Sequence, residues 1–120
     1  MITIKIKPLS ANDAWKGRRF KTDEYKTYEH SLHYLLPKKI ELPDSRYFVV
    51  YTFGLSSAVA DWDNCIKQFQ DVVAKKYGFN DKFITGGIVL KKIVPKGQEY
   101  ISFKITAYDQ DKIDLFLSTI

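Results

Sequence analysis

The sequence has few of the features that mark secreted or membrane proteins. Cys65 is its only cysteine, so the chain cannot form an internal disulfide, which fits a reducing compartment. No apolar run approaches the roughly 20 residues that a membrane-spanning helix needs. The opening residues MITIKIK alternate apolar and polar side chains, which indicates a strand and not a signal peptide. We therefore expect a cytoplasmic protein without a membrane segment, with Cys65 buried in its core.

Acidic residues are outnumbered by basic ones. The 120 residues include 14 Asp and Glu against 19 Lys and Arg, a formal net charge of +5, which favours a polyanionic partner. A second basic cluster, KKIVPK, begins at Lys91. The segment WKGRRFK has no acid, and we predict that its basic side chains contact nucleic-acid phosphates: Lys16, Arg18, Arg19 and Lys21. An ordinary solvated loop is the alternative. Trp15 and Phe20 flank this segment and either anchor it or stack on bases.

Hydrophobic periodicity predicts a first strand, a helix and a central strand in the first half of the chain. Strict alternation over residues 2–7 indicates a strand, and residues 9–21 read as a loop. Thr22 is a good N-cap for a helix that ends before Pro37. Residues 46–55 have β-branched or aromatic side chains at both odd and even positions, which is typical of a strand covered on both faces. We expect that strand in the middle of the sheet.

The second half of the chain predicts a helix, two strands and a closing helix. Asp63 can cap a helix that runs to about Tyr77, with Gly78 as its C-cap. Residues 83–94 and 98–107 read as two strands joined by the hairpin turn PKGQ. The predicted order is strand–helix–strand–helix–strand–strand–helix in a single domain over residues 1–120. The expected fold class is α+β, a two-layer domain with a mixed four-stranded sheet and helices largely on one face.

Four aspartates are concentrated in residues 60–81 of this basic chain. If residues 59–62 are extended, Asp61 and Asp63 point the same way and can converge. Lys67 and Asp71 follow Asp63 at intervals of four, so they share a helix face, and Asp81 can return to the head of this group.

Several carboxylates beside a lysine suit a hard divalent cation, and Mg²⁺ prefers oxygen ligands completed by water and phosphate. A bound Mg²⁺ lowers the pKa of its water and neutralises charge on a reacting phosphate. Lys67 would then give a fixed positive charge to the scissile phosphate. The alternative is that Asp63 is only a cap, and that Lys67 with Asp71 is only an exposed i,i+4 pair.

The pattern D61-W-D63-N64-x-x-K67-x-x-x-D71, followed by GFND81 and KKIVPKG, resembles the RusA-like Holliday junction resolvases. The segments S10-A-N12-x-A-W and GRRFKT also fit, and the similarity covers roughly residues 2–107. The resemblance implies a homodimeric, Mg²⁺-dependent endodeoxyribonuclease, with Mn²⁺ as a substitute. It would resolve four-way DNA junctions by paired symmetric nicks in recombination and repair. Such enzymes act at the nucleoid and are often encoded by phages or prophages.

Residue by residue, the resemblance implies that Asp61, Asp63 and Asp81 bind the metal and that Lys67 is the essential lysine. These four residues form the expected catalytic set. Relatives often have an acidic pair where this chain has Asn80 and Asp81, so the number of metal ions stays open. Two other functions stay open as well: a Mg²⁺-dependent nuclease for other branched DNA, and a non-catalytic module that binds junction DNA.

Overall fold

The computed structural model describes residues 1–18 and 20–120, and a mixed four-stranded sheet lies at its centre. The sheet consists of β1 (Ile2–Ile4), β4 (Tyr47–Leu55), β5 (Ile84–Ile93) and β6 (Tyr100–Ala107), in the spatial order β1-β6-β4-β5. A separate hairpin pairs β2 (Trp15–Lys16) with β3 (Phe20–Lys21). The helices are α1 (Ala11–Ala14), α2 (Asp23–Leu35), α3 (Ile66–Tyr77) and α4 (Gln110–Thr119). A 3₁₀ turn, Asp81–Phe83, precedes β5.

β4 is the central strand, as its apolar character on both faces predicts. It pairs antiparallel with β6 and parallel with β5. The prediction that β5 and β6 form a hairpin is therefore wrong, because β4 lies between them. Residues 94–99 cross the end of β4 instead, and the Val94 amide donates to the Leu55 carbonyl at 2.8 Å. A local turn signal such as PKGQ predicts that the chain reverses direction, but it does not predict which strand of the sheet the next strand pairs with.

Aromatic side chains connect α3 to one face of the sheet. Phe69 is fully buried, and its ring meets those of Tyr51, Phe53 and Phe103 edge-on at centroid distances of 5.2, 5.9 and 5.4 Å. Such pairs contribute about 0.5–1.5 kcal/mol each beyond the burial of their area. The α+β class and the mixed four-stranded sheet are confirmed.

The predicted N-cap of α2, Thr22, and the predicted C-cap of α3, Gly78, are both present. The Thr22 hydroxyl accepts a hydrogen bond from the Tyr25 amide at 3.1 Å and so satisfies one free N–H of α2. Gly78 ends α3 in the left-handed region, with φ 72°, which glycine adopts without steric cost. The Lys76 ammonium donates to the carbonyls of Leu36, at 2.8 Å, and His33. The end of α3 therefore satisfies carbonyls at the end of α2.

Residues 9–21 contain more regular structure than the loop that the sequence predicts. Ala11–Ala14 form one helical turn, and the β2–β3 hairpin follows it, with Gly17 at φ 67° in its turn. Trp15 packs edge-on against Tyr25 at 5.4 Å, so this tryptophan anchors the hairpin. Phe20 is 73% exposed. No helix in the described part of the chain is both long enough and apolar enough to cross a membrane.

Candidate functional site

Asp61 and Asp63 lie in a turn that leads into α3. The Asn64 amide donates to the Asp61 carbonyl at 3.3 Å, and the Ile66 amide donates to the Asp63 carbonyl at 3.4 Å. The residue that caps α3 is Cys65, without a side-chain hydrogen bond. The prediction that Asp63 caps this helix is therefore wrong, as is the extended conformation assumed for residues 59–62. The chain already turns before the helix begins, which leaves both aspartates exposed.

Lys67 connects two of the predicted carboxylates. Its ammonium lies 2.9 Å from Asp71 Oδ1 and 2.8 Å from Asp81 Oδ2. The hydrogen bonds to Asp81 and then to Asp71 raise the pKa of Lys67, and the bond from Lys67 lowers the pKa of Asp81. Lys67 and Asp81 are therefore both charged around neutral pH. The structure thus brings Lys67, Asp71 and Asp81 together, as their spacing and the return of the chain after Gly78 predict.

A chain of hydrogen bonds extends from this cluster into the core. The Tyr51 hydroxyl donates to Gln70 Oε1 at 3.1 Å, and a hydrogen bond from Gln70 contributes to the lowered pKa of Asp81. Burial raises the pKa of Tyr51, and the negative charge of Asp81 raises it further. The central strand is therefore linked through Gln70 to Asp81. Asn80 caps the 3₁₀ turn, because its side-chain carbonyl accepts a hydrogen bond from the Lys82 amide at 2.9 Å.

The predicted ligands have the oxygen atoms that Mg²⁺ prefers, but the structure does not arrange them as a metal site. The predicted ligands Asp61, Asp63 and Asp81 offer only carboxylate oxygens, which hard divalent cations prefer. Asp81 Oδ2 already accepts a hydrogen bond from the Lys67 ammonium. Within residues 1–18 and 20–120, no group of three or more His, Cys, Asp or Glu side chains is arranged to hold a metal ion. Binding through all three carboxylates therefore requires the turn at residues 61–63 and Asp81 to approach one another.

The loop before Asp61 is held by a lysine from β5. The Lys91 ammonium donates to the carbonyls of Ala60 at 2.7 Å and Ala58 at 3.2 Å. In β5, Lys91 is aligned with Phe53 and lies on the face of the sheet that carries α3. Lys91 therefore ties the loop that carries Asp61 to the sheet, instead of pointing into solvent as its place in KKIVPK suggests.

The predicted phosphate-contacting residues lie in and beside the β2–β3 hairpin. Lys16 and Arg18 are exposed. Lys21 is partly buried, forms an ion pair with Glu29 at 2.8 Å and lies 5.0 Å from the centre of the Tyr25 ring. Arg19 lies outside the described residues. The hairpin therefore presents Lys16 and Arg18 freely, whereas Lys21 is already paired.

A groove of about 510 Å³ runs between α2 and α3 beside this hairpin. Lys21, Lys26 and Lys75 line it together with His30 and His33, and Glu29 is its one acidic residue. Lys75 lies one turn beyond Asp71 on α3, so the groove adjoins the Lys67 cluster. Burial and, after it, the charges of Asp71 and Glu29 raise the pKa of Tyr25 on α2 to about 12. The groove is therefore a cationic channel next to an anionic cluster.

Three residues of this region were not predicted from the sequence. Gln70 is three residues from Lys67 and so lies on the same helix face, a spacing that could have indicated it. Tyr51 and Lys91 had no such signal, because their roles depend on the register of β4 against β5 and on the path of the following loop. No protein-family model matches this chain, and no curated protein matches it.

Proposed function

We propose that this protein is a Mg²⁺-dependent endodeoxyribonuclease that cuts branched DNA, with four-way junctions as the preferred substrate. One observation carries the proposal: the Lys67–Asp71–Asp81 cluster adjoins a cationic groove, and its Lys67 and Asp71 lie on α3, the helix that follows Asp61 and Asp63. The sequence resemblance gives the reaction class, and the geometry supports the pairing of an acidic centre with a phosphate-binding flank.

The charges explain why such a site would need a divalent ion. Asp61, Asp63, Asp71 and Asp81 with Lys67 have a formal charge of −3, and this charge repels a phosphodiester. A bound Mg²⁺ would neutralise part of this charge, activate a water and polarise the phosphate. Asp61, Asp63 and Asp81 are the proposed ligands. Because Mg²⁺ takes few protein ligands and completes its shell with phosphate oxygens, we expect tight binding only when DNA is present.

Lys67 has two roles in this proposal. It orients Asp81 through one carboxylate oxygen and leaves the other oxygen for the ion. Its side chain is 67% exposed, so its ammonium can also donate to an oxygen of the scissile phosphate. Both carboxylate partners keep it protonated, so it supplies a fixed positive charge and does not act as a base near neutral pH.

The groove between α2 and α3 would bind the DNA backbone. Lys26 and Lys75 approach it from the two helices, and His30 and His33 offer further donors. Lys16 and Arg18 on the hairpin would extend this contact along the strand. Phosphate contacts of this kind fix the position of DNA without reading its sequence.

The test compares a synthetic four-way junction, a flap and a linear duplex of the same length, each with Mg²⁺, with Mn²⁺ and with a chelator. We expect paired nicks in the junction, slower cutting of the flap and little cutting of the duplex. Asp63→Asn and Asp81→Asn should abolish cutting while junction binding persists. Asp44→Asn is the matched control, since Asp44 is an exposed carboxylate in the connector between α2 and β4.

Two other outcomes decide between the remaining functions. Equal rates on the flap and the junction would identify a nuclease for branched DNA in general. Binding of the junction without cutting in either metal would identify a non-catalytic module. Full cutting by Asp63→Asn would refute the assignment of the site.

A further inference from the structure

The closing helix α4 presents an apolar stripe that the described residues leave largely exposed. Nine of its ten residues are exposed, and only Ile113 is partly buried. Ile113, Phe116, Leu117 and Ile120 recur at helical spacing and share one side, and the last three are 48%, 54% and 84% exposed. Isolated helices of this length are marginal in water. The stripe therefore needs a surface to pack against.

The same chain has a sheet face without helices. Side chains alternate along strands, so the face opposite α3 carries the even-numbered residues of β4, β5 and β6. We call this surface the open face. Its apolar centre consists of Val50, Ile88 and Leu90, which are partly or largely exposed.

Two tyrosines limit the open face at its ends. Tyr100 covers Gly54, where any Cβ would clash with its ring. Tyr108 lies over Gly86, where a Cβ would come within 3.4 Å of its ring, and it packs against Phe48 at 6.4 Å. Between these rings lies the stretch of the open face that we call the trough, where Val50, Ile88 and Leu90 lie beside the polar Thr52 and Ser102. Tyr108 leads the chain away from it into α4.

The two surfaces are complementary in charge. Residues 109–120 contain Asp109, Asp111 and Asp114 against one lysine, a formal charge of −2. The open face carries Lys92 and Lys104, and no acidic side chain belongs to it in the four described strands. An acidic helix with an apolar stripe thus matches a trough flanked by lysines.

We propose that α4 is exchanged between two copies of this chain, so that the stripe of each copy packs into the trough of the other. Such an arrangement is two-fold symmetric and closes on itself. It buries four surfaces, two helices and two troughs. Roughly 300–400 Å² on each would give roughly 1,200–1,600 Å², which lies within the roughly 1,200–2,000 Å² that specific interfaces bury in total. The interface goes beyond the proposed nuclease activity and does not depend on it.

Sedimentation velocity and light scattering on the full chain test this interface, because both read mass and not activity. We expect a dimer for the wild type. Phe116→Glu should raise the dimer dissociation constant by roughly 100-fold or more, because it would bury an unpaired carboxylate. Leu115→Glu is the matched control: Leu115 is 69% exposed but lies on the other side of α4, so this variant should stay dimeric. Circular dichroism checks that both variants fold.

A cross-link tests the exchange itself. A mixture of Leu117→Cys and Leu90→Cys chains should form a disulfide-linked heterodimer under oxidation, while the native Cys65 is buried. A monomeric wild type, equal disruption by Leu115→Glu and Phe116→Glu, or a mixed pair that does not cross-link would each overturn the proposal. Because none of these readouts involves DNA, failure here is distinct from failure of the nuclease proposal.

Discussion

Replacing Lys91 by methionine should loosen the loop that carries Asp61. Methionine keeps most of the aliphatic stem but removes the ammonium, so neither hydrogen bond to the loop carbonyls can form. The bond to Ala60, at 2.7 Å, is partly buried, and we assign it about 1 kcal/mol. The bond to Ala58, at 3.2 Å, is exposed, and we assign it about 0.5 kcal/mol.

The expected decrease is therefore about 1.5 kcal/mol in the free energy of unfolding, out of the 5–15 kcal/mol typical of a domain. At about 4 °C for each kcal/mol, the melting temperature would fall by roughly 6 °C. Urea unfolding measures the free energy, and amide hydrogen exchange across residues 56–64 locates the change. Junction cleavage should also fall, by roughly 10-fold or more, because Asp61 is no longer held in position.

The control for this prediction is Lys39→Met, since Lys39 is an exposed lysine in the connector before β4. It should change stability by less than about 0.5 kcal/mol. A Lys91→Met chain with unchanged unfolding energy and unchanged exchange in the loop would refute the role given to Lys91. Lys91→Arg, which can donate to the same carbonyls, should recover part of the stability.

Four further predictions follow from the cluster, the groove and the core. Lys67→Ala should reduce junction cleavage by about 10²–10³-fold, yet leave Mn²⁺ binding unchanged or tighter, because a cation competing for Asp81 is removed. An NMR titration should place the Asp81 pKa below its ordinary 3.8 in the wild type and nearer to 3.8 in Lys67→Ala. Lys26→Glu should weaken junction binding. It should also reduce the slope of log affinity against log salt concentration by about 0.9 for each phosphate that the protein no longer neutralises. Binding measured at several salt concentrations gives this slope, and the control Lys39→Glu should leave it unchanged. Phe69→Ala should lower the free energy of unfolding by about 3–5 kcal/mol in urea, because it empties the centre of the aromatic core.

The directions of the Asp81 and Lys67 pKa shifts determine how the stability of the protein changes with pH. The Asp81 pKa is lowered, so the stabilisation from its bond to Lys67 is present above pH 3.8 and is lost as the pH falls through the lowered value. The Lys67 pKa is raised, so its contribution is complete below its ordinary 10.5 and disappears only as the pH rises through the raised value. The pair is therefore intact between about pH 4 and pH 10. An Asp81 resonance that titrates inside this window would contradict the contact.

Much of the fold could be predicted because its signals are local. The cap at Thr22, the left-handed Gly78 and the apolar stripe of α3 each depend on a few neighbouring residues. The same holds for the ion pair of Lys67 with Asp71, since a helix fixes the distance between residues four apart.

The errors concern features that the local sequence does not determine. Whether β5 pairs with β6 or with β4 depends on contacts across the whole sheet, and both arrangements have the same alternation of side chains. The turn at Asp61 and Asp63 is shaped partly by Lys91, which comes about thirty residues later in the chain. Gln70 and Tyr51 take their places in the cluster only once the sheet register is fixed.

The insertion of β4 between β5 and β6 also has a consequence for how the chain folds. β5 and β6 follow one another in the chain but do not pair, so the turn between them cannot close an early hairpin as a folding nucleus for this sheet. Residues 2–4 must wait for residues 101–103 before they have a partner at all. Because the chain must close such long loops before it gains these contacts, we expect slow refolding for its size. During synthesis, β1 would leave the ribosome before the other three strands of its sheet and yet be among the last to join it.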